Sequence, residues 1–289
     1  MQIDVTAYAK LNLSLDIVRK RADGYHDLKM IMQTVQLCDN IVLTLSEGSG
    51  VSVQTNLDFL PKDGRNLAGA AALLFFEELG LPQKRVKIEI HKNIPVCAGL
   101  AGGSADAAAV LRGLNTLLET NLSSVQLAKM GTKLGADVPY CIIGGTALAE
   151  GRGEILTPLP PLPPCHIVIA KPGFAVSTSA TFAKVNCKKI RHRPNTAGLQ
   201  KALEKGQLQE VAVRLYNVFE DIVNRAASDI VPVKAALIEH GALGAAMTGT
   251  GPAVFGLFSS ESAAQKAYAY LAAQHCDVFL TKSWGQIMV

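Results

Sequence analysis

Apolar residues fall at every second position from Leu11 through Leu13 and Leu15 to Ile17. That period lays one face of a strand against a core. Similar patterning predicts strands over residues 30–37, 40–45 and 51–56, and over 85–91, where Val86, Ile88 and Ile90 alternate. Residues 66–80 predict a helix with Gly80 as its C-cap. A glycine-rich loop over 95–103 leads into a helix over 104–118, followed by a helix over 123–134 and a strand over 144–150. Residues 157–164 read TPLPPLPP, which excludes a helix interior or a central strand. This run predicts a semi-rigid link between two domains, residues 1–157 and 158–289. Beyond it come a strand over 166–170 and helices near Ser177, Leu199 and Gln209. A helix over 230–240, strands over 244–248 and 253–258 around a turn at 249–251, a helix over 260–273 and a strand over 277–281 close the chain. Strands and helices mix without a regular βαβ rhythm, which predicts an α+β fold.

Composition narrows the function classes. The 289 residues are 49% hydrophobic and 18% charged, enough for a sizeable core. No run of about 18 uncharged apolar residues suits a membrane helix, and the most apolar stretch, 66–80, contains Glu77 and Glu78. The opening MQIDVTAYAK has an early Asp and no long apolar run, so no secretory signal is expected. Cysteines at 38, 97, 141, 165, 187 and 276 form no CxxC pair, so neither a zinc site nor a disulfide framework is expected. A reducing cytoplasm is the natural setting, and there the glycosylation patterns at Asn12 and Asn121 carry no weight. A net charge of +4 is too mild for a nucleic-acid protein. The cluster Lys188, Lys189, Arg191, His192 and Arg193 reads either as a solvated loop or as an attraction for an anionic substrate. The proline run also matches a PxxP ligand, but globular sequence flanks it on both sides.

The densest chemistry lies in residues 94–109, IPVCAGLAGGSADAAA. Gly99, Gly102 and Gly103 let backbone approach a ligand closely. Ser104 is the expected N-cap, with Asp106 as a first-turn charge. Strand, glycine loop and helix start together make an anion site. The absence of GK[ST] excludes a Walker A loop, and GxGxxG does not fit. Asp106 breaks a nucleophile elbow, and no HRD or DFG of a protein kinase occurs. Taken alone, the loop could also be a glycine-rich helix entry that binds nothing.

Two further segments change that. With the loop, AYAKLNLSLDI at 7–17 and AMTGTGPAVFG at 246–256 resemble the three motifs of the GHMP kinases, the superfamily of galactokinase, homoserine kinase, mevalonate kinase and phosphomevalonate kinase. The resemblance spans nearly the whole chain. RADGYHDL at 21–28, GADVPY at 135–140 and GGTALAEGRGE at 144–154 are similar to one branch of it. That branch acts on 4-diphosphocytidyl-2-C-methyl-D-erythritol in non-mevalonate isoprenoid synthesis.

The resemblance implies a two-domain α+β fold with its active site in the interdomain cleft. Residues 1–157 would be the ATP-binding and catalytic domain and 158–289 the C-terminal GHMP domain. ATP would phosphorylate the 2-hydroxyl of the methylerythritol unit directly, without a phospho-enzyme. Asp137 matches the catalytic aspartate and Lys10 its partner lysine; Asn12 would bond the methylerythritol. Tyr25 and Phe182 would sandwich the cytosine, His26 would read its edge, and Thr178 would lie in the same pocket. Asn66 would sit near the adenine. Pro95, Gly99, Leu100, Ala101, Gly102, Gly103 and Ser104 would hold the triphosphate. Mg²⁺ is expected through phosphate oxygens, with no protein ligand assigned; Asp106 is merely a nearby carboxylate. The implied partners are small molecules, not nucleic acid or membrane, and no oligomeric state is indicated. Another GHMP small-molecule kinase would ignore Tyr25 and His26, and a non-catalytic nucleotide-binding regulator would have little need for Lys10 and Asp137. Tyr25 and His26 could also form a plain hairpin tip after Asp23-Gly24, and Gly249 to Gly251 a tight turn only.

Overall fold

A computed structural model describes residues 1–82, 84–223, 230–274 and 277–285. The first half runs β1 (Gln2–Lys20), β2 (His26–Ser46), β3 (Val51–Thr55), α1 (Leu67–Leu79), β4 (Arg85–His91), α2 (Gly102–Leu117), α3 (Ser124–Gly131), α4 (Val138–Ile143), β5 (Thr146–Gly151) and β6 (Ile155–Pro158). The second half runs β7 (His166–Lys171), α5 (Thr178–Ala183), α6 (Thr196–Glu204), α7 (Leu208–Ala212), β8 (Tyr216–Asn217), α8 (Glu220–Val223), α9 (Ile230–Glu239), β9 (Gly244–Met247), β10 (Val254–Phe258), α10 (Glu261–Ala272) and β11 (Asp277–Lys282).

The elements form two sheets. The first has seven strands in the order β3-β4-β2-β1-β8, with β5 and β6 branching from β2; the second is β11-β7-β10-β9. Helices α1 and α2 lie on the first sheet, α9 and α10 on the second. Leu11, Leu13, Leu15 and Ile17 are all buried, but a register shift between Asn12 and Ser14 breaks the expected single face, so that Leu15 and Ile17 lie on the opposite face from Leu11. Lys10, Asn12 and Ser14 are buried as well, Lys10 and Asn12 on the face they share with Leu15 and Ile17.

Several boundaries moved, each for a physical reason. β2 is one strand where two were expected, because Asp39 at the anticipated break is buried and ion-paired to Lys92. Gly80 does close α1 in the left-handed region at φ 59°, and Asn66 caps its start by accepting from the Ala68 amide. α2 begins at Gly102, before the expected N-cap, so Ser104 lies inside its first turn. Its N-cap is Ala101, which offers no side-chain bond. α3 has the Ser123–Gln126 capping box. α4 escaped prediction because it is short and contains Pro139, tolerated in a first turn where an amide has no partner anyway. Part of the proline run pairs with β5 as β6, whose last residue is Pro158.

Asp106 is not a first-turn surface charge. It is buried, and its Oδ2 lies 2.6 Å from Lys92 Nζ, which also donates to Asp39 Oδ2 at 2.5 Å. Asp39 Oδ1 accepts from the amides of Asn93 and Ile94 at 2.6 and 2.8 Å. The group ties the end of β4 to α2. Burial pushes the Asp106 carboxyl up to about 7, against the pull of Lys92. Lys92→Met removes the cation shared by two buried carboxyl groups and should cost about 3–5 kcal/mol in urea unfolding followed by circular dichroism. A loss below about 1 kcal/mol, the scale of an exposed pair, would contradict this burial.

Candidate active site

The loop from Pro95 to Ala101 joins β4 to α2 and packs backbone to backbone on the turn after β9. A Cβ on Gly99 would fall 2.1 Å from the Thr248 carbonyl oxygen, and one on Gly249 would fall 2.9 Å from Gly99 Cα. Thr248 Oγ1 donates to the Gly99 carbonyl at 3.2 Å, and the Ala253 amide donates to the Ala98 carbonyl at 3.3 Å. Gly99 is therefore required by a neighbouring loop. A Cβ on Gly102 would meet Ile94 Cγ2 at 3.0 Å, a tight contact that a small shift of that side chain would relieve. Only at Gly103 does the missing side chain leave open space, with nothing within 4 Å. The three loop glycines, expected alike to admit a ligand, divide in this way. The first amides of α2 have no partner within the helix and point outward with the positive end of its dipole.

β1 runs beside this loop, its Lys10 amide donating to the Leu100 carbonyl at 3.2 Å. The buried Lys10 ammonium donates to Asn12 Oδ1 at 2.6 Å and stands 4.0 Å from Asp137 Oδ2. Asp137 precedes α4, and its side chain is 34% exposed, open to the cavity. Asn12 departs from expectation. It is fully buried and faces no cavity, its Oδ1 accepting from the Gly249 amide at 2.9 Å as well as from Lys10. In this structure Asn12 orients Lys10 and anchors the Gly-Thr-Gly turn from behind. Thr248, which receives the Asn12 amide at 3.1 Å, belongs to the same chain of contacts.

A cavity of about 530 Å³ is lined by Lys10, Asn66, residues 95–104, Asp137, Thr178 and Phe182. A second, of about 1120 Å³, is lined by Tyr25, His26, Gly135, Thr178 and Phe182. They meet at Leu28, Cys97, Gly99, Ala136, Arg152, Thr178, Phe182 and Thr250 and form one cleft. Asn66 lines the first while its amide donates to the Pro61 carbonyl at 3.1 Å. Thr178 Oγ1 lies 3.2 Å from Thr250 Oγ1, so α5 leans on the Gly-Thr-Gly turn across the cleft.

His26 is 7% exposed, and its Nε2 has no hydrogen-bond partner. Its ring tilts against Phe182 at 5.4 Å between centroids, and Phe182 meets Phe219 edge-on at 4.9 Å. Burial, helped by Lys20, holds the His26 imidazole below its ordinary range, so it is neutral at pH 7. Tyr25 is 58% exposed, with the Arg152 guanidinium 5.1 Å from its ring centroid. Tyr25 and Phe182 line one cavity without forming a ring pair of their own. Arg152 and Thr248 lie inside the sequence motifs, which assign them no role, and Arg112 lies outside all of them; each shows its place only in three dimensions. Of the basic cluster, Arg193 pairs with Asp16 at 2.6 Å, and the rest lines a separate groove with Asp221. The cysteines at 38, 97, 141, 165 and 187 are free, and Cys276 lies outside the described residues.

The cleft joins a helix start suited to phosphate, a lysine–aspartate pair and an aromatic pocket with an unsatisfied imidazole. The GHMP kinases N terminal domain family matches residues 66–145, and the GHMP kinases C terminal family matches residues 199–277. The chain belongs to the GHMP kinases. A 4-diphosphocytidyl-2-C-methyl-D-erythritol kinase from Caldicellulosiruptor saccharolyticus is 47% identical to it, over 95% of this chain and 94% of that one. The same-named enzyme of Lachnoclostridium phytofermentans is 45% identical over 92% and 91%. A crystal structure of 4-(cytidine 5'-diphospho)-2C-methyl-D-erythritol kinase superposes with a TM-score of 0.83 at 32% identity, covering 98% of this chain and 100% of that one. The α+β GHMP architecture expected from the motifs is the one observed.

The buried imidazole yields a pH prediction. Its folded-state midpoint lies below the ordinary value of about 6.5, so the unfolded chain takes up the proton first as pH falls. The stability His26 contributes is complete above that value and is lost progressively as pH drops toward the folded midpoint. Ring ¹⁵N titration by NMR reads the midpoint directly, and a value at or above about 6.5 would contradict the buried, neutral assignment.

Proposed function

We propose that the chain transfers the γ-phosphoryl group of ATP to the 2-hydroxyl of 4-diphosphocytidyl-2-C-methyl-D-erythritol, a step of non-mevalonate isoprenoid precursor synthesis. One observation carries this reading: a single cleft runs from the Lys10–Asp137 pair at the phosphate loop to the unpartnered nitrogen of His26. A substrate with a cytosine at one end and an alcohol at the other fits that span.

The triphosphate would lie over the open side of Gly103, on the outward amides at the start of α2, with Pro95 to Ser104 as its cradle and the adenine toward Asn66. Asp137 accepts the hydrogen bond of the substrate hydroxyl and takes up its proton as phosphorus is attacked in line. Lys10, aimed by Asn12, offsets charge at the transferring phosphoryl group. The acceptor is a tertiary alcohol, so placement counts for more than nucleophilicity. At the far end, neutral His26 bonds the cytosine edge between Tyr25 and Phe182, with Thr178 beside them.

Mg²⁺ fits the oxygen donors available. Ser104 lines the phosphate cavity with a hydroxyl, and phosphate oxygens supply the remaining hard ligands. Among the described residues, no group of three or more His, Cys, Asp or Glu forms a separate metal centre. When bound there, the ion would neutralise charge on the phosphates. We place the domain division at 157/158 and the enzyme in the cytoplasm, where ATP is available. Among the described residues, no helix is long and apolar enough to cross a membrane.

ADP release from Mg·ATP with the cytidyl substrate, beside mevalonate and homoserine, tests the reading. Turnover with the cytidyl compound alone is expected; turnover with another alcohol only would overturn the substrate. Asp137→Ala should lower kcat by at least about 10²-fold while ATP binding survives. Near-normal turnover would remove Asp137 from its role. His26→Ala should raise KM for the cytidyl substrate more than for ATP, and equal effects would undercut the cytosine pocket.

A further inference from the structure

Lys10 and Asp137 stand 4.0 Å apart, beyond a direct hydrogen bond, so their own contact does not fix their separation. Something in the scaffold must. Arg112 lies far along α2, 7% exposed and outside the lining of the cleft. Its Nη1 donates to the Cys141 carbonyl on α4 at 2.9 Å, and its Nη2 to the Thr6 carbonyl on β1 at 2.7 Å. Among the described residues it has no carboxylate partner. A buried cation satisfied by two carbonyls is a costly way to fill space, and a methionine would fill it without that cost.

The two carbonyls belong to the elements that bear the reacting groups. Lys10 follows Thr6 on the same strand by four residues, across a register shift between Tyr8 and Lys10. Asp137 precedes α4, and its carbonyl accepts from the Cys141 amide at 3.0 Å. The helix that carries Arg112 starts at the phosphate loop. It packs closely on the first sheet at Gly113, where a Cβ would fall 2.4 Å from Leu43 Cδ1 and 3.2 Å from Val5 Cγ1. One side chain thus ties phosphate loop, lysine strand and aspartate helix together.

We infer that Arg112 is a positioning residue for phosphoryl transfer, its guanidinium bracing β1 against α4 and so setting the separation of Lys10 and Asp137. The inference rests on the phosphoryl-transfer reading above. The test is a double-mutant cycle on the full chain, Arg112→Met against Asp137→Asn, with kcat, both KM values and the thermal midpoint measured. Arg112→Met should lower kcat by about tenfold or more, the scale of a small misplacement of reacting groups. Both KM values should stay within about threefold, since the guanidinium touches neither cavity. In the Asp137→Asn background it should cause no further loss, because it acts through that carboxylate. Arg112→Lys can keep one of the two bonds and should fall between; if the Met variant does not fold, the Lys variant carries the same cycle. Equal losses of kcat in both backgrounds, or a lowered thermal midpoint with unchanged kcat, would overturn the assignment. If Asp137→Asn alone keeps near-normal turnover, the catalytic reading fails and this inference falls with it.

Discussion

Two loops touch backbone to backbone at Gly99 and Gly249, and neither position has room for a side chain. The rest of the site depends on that contact. One loop hangs from the first sheet and leads into α2; the other joins β9 to β10 in the second sheet. Their closeness lets the Gly249 amide reach Asn12, and Asn12 in turn aims the Lys10 ammonium. The lysine that faces the phosphate cavity is therefore oriented partly by the opposite half of the molecule. A site built across two sheets in this way is a cleft by construction.

Three buried cations show three ways of keeping a charge inside. Lys92 is paired with two carboxylates and serves as a structural tie. Arg112 is satisfied by carbonyls and faces no cavity. Lys10 has one amide oxygen and a more distant carboxylate, which leaves its ammonium incompletely paired and turned toward the cavity. Incomplete satisfaction at Lys10, and at His26 Nε2, is what an approaching phosphate and an approaching base can complete.

Where local chemistry decides, the sequence was legible. The alternation of Val86, Ile88 and Ile90 marks β4, and Asn66 and Gly80 mark both ends of α1. The cleft-lining positions of Lys10, Asp137, Tyr25, His26 and Phe182 were legible through motifs. Distance in the chain hid the rest. β2 runs unbroken through Asp39 only because Lys92 lies 53 residues away. The motif named Asn12 but could not say that it points away from the cleft. The motif named Gly99, which lines the cleft, but could not show that Thr248 packs against it. Arg112 in an Ala- and Leu-rich helix looks like a surface residue, and only the carbonyls of Thr6 and Cys141 show otherwise.

The central claim is that one cleft holds a nucleotide triphosphate and a cytidyl alcohol at once, with Lys10 and Asp137 between them. A crystal structure with a non-hydrolysable ATP analogue and the cytidyl substrate tests it most directly. The account predicts the acceptor hydroxyl within hydrogen-bond reach of Asp137, the triphosphate on the start of α2, and the cytosine edge on His26. A base bound elsewhere, or a hydroxyl turned away from Asp137 while both ligands are in place, would contradict it.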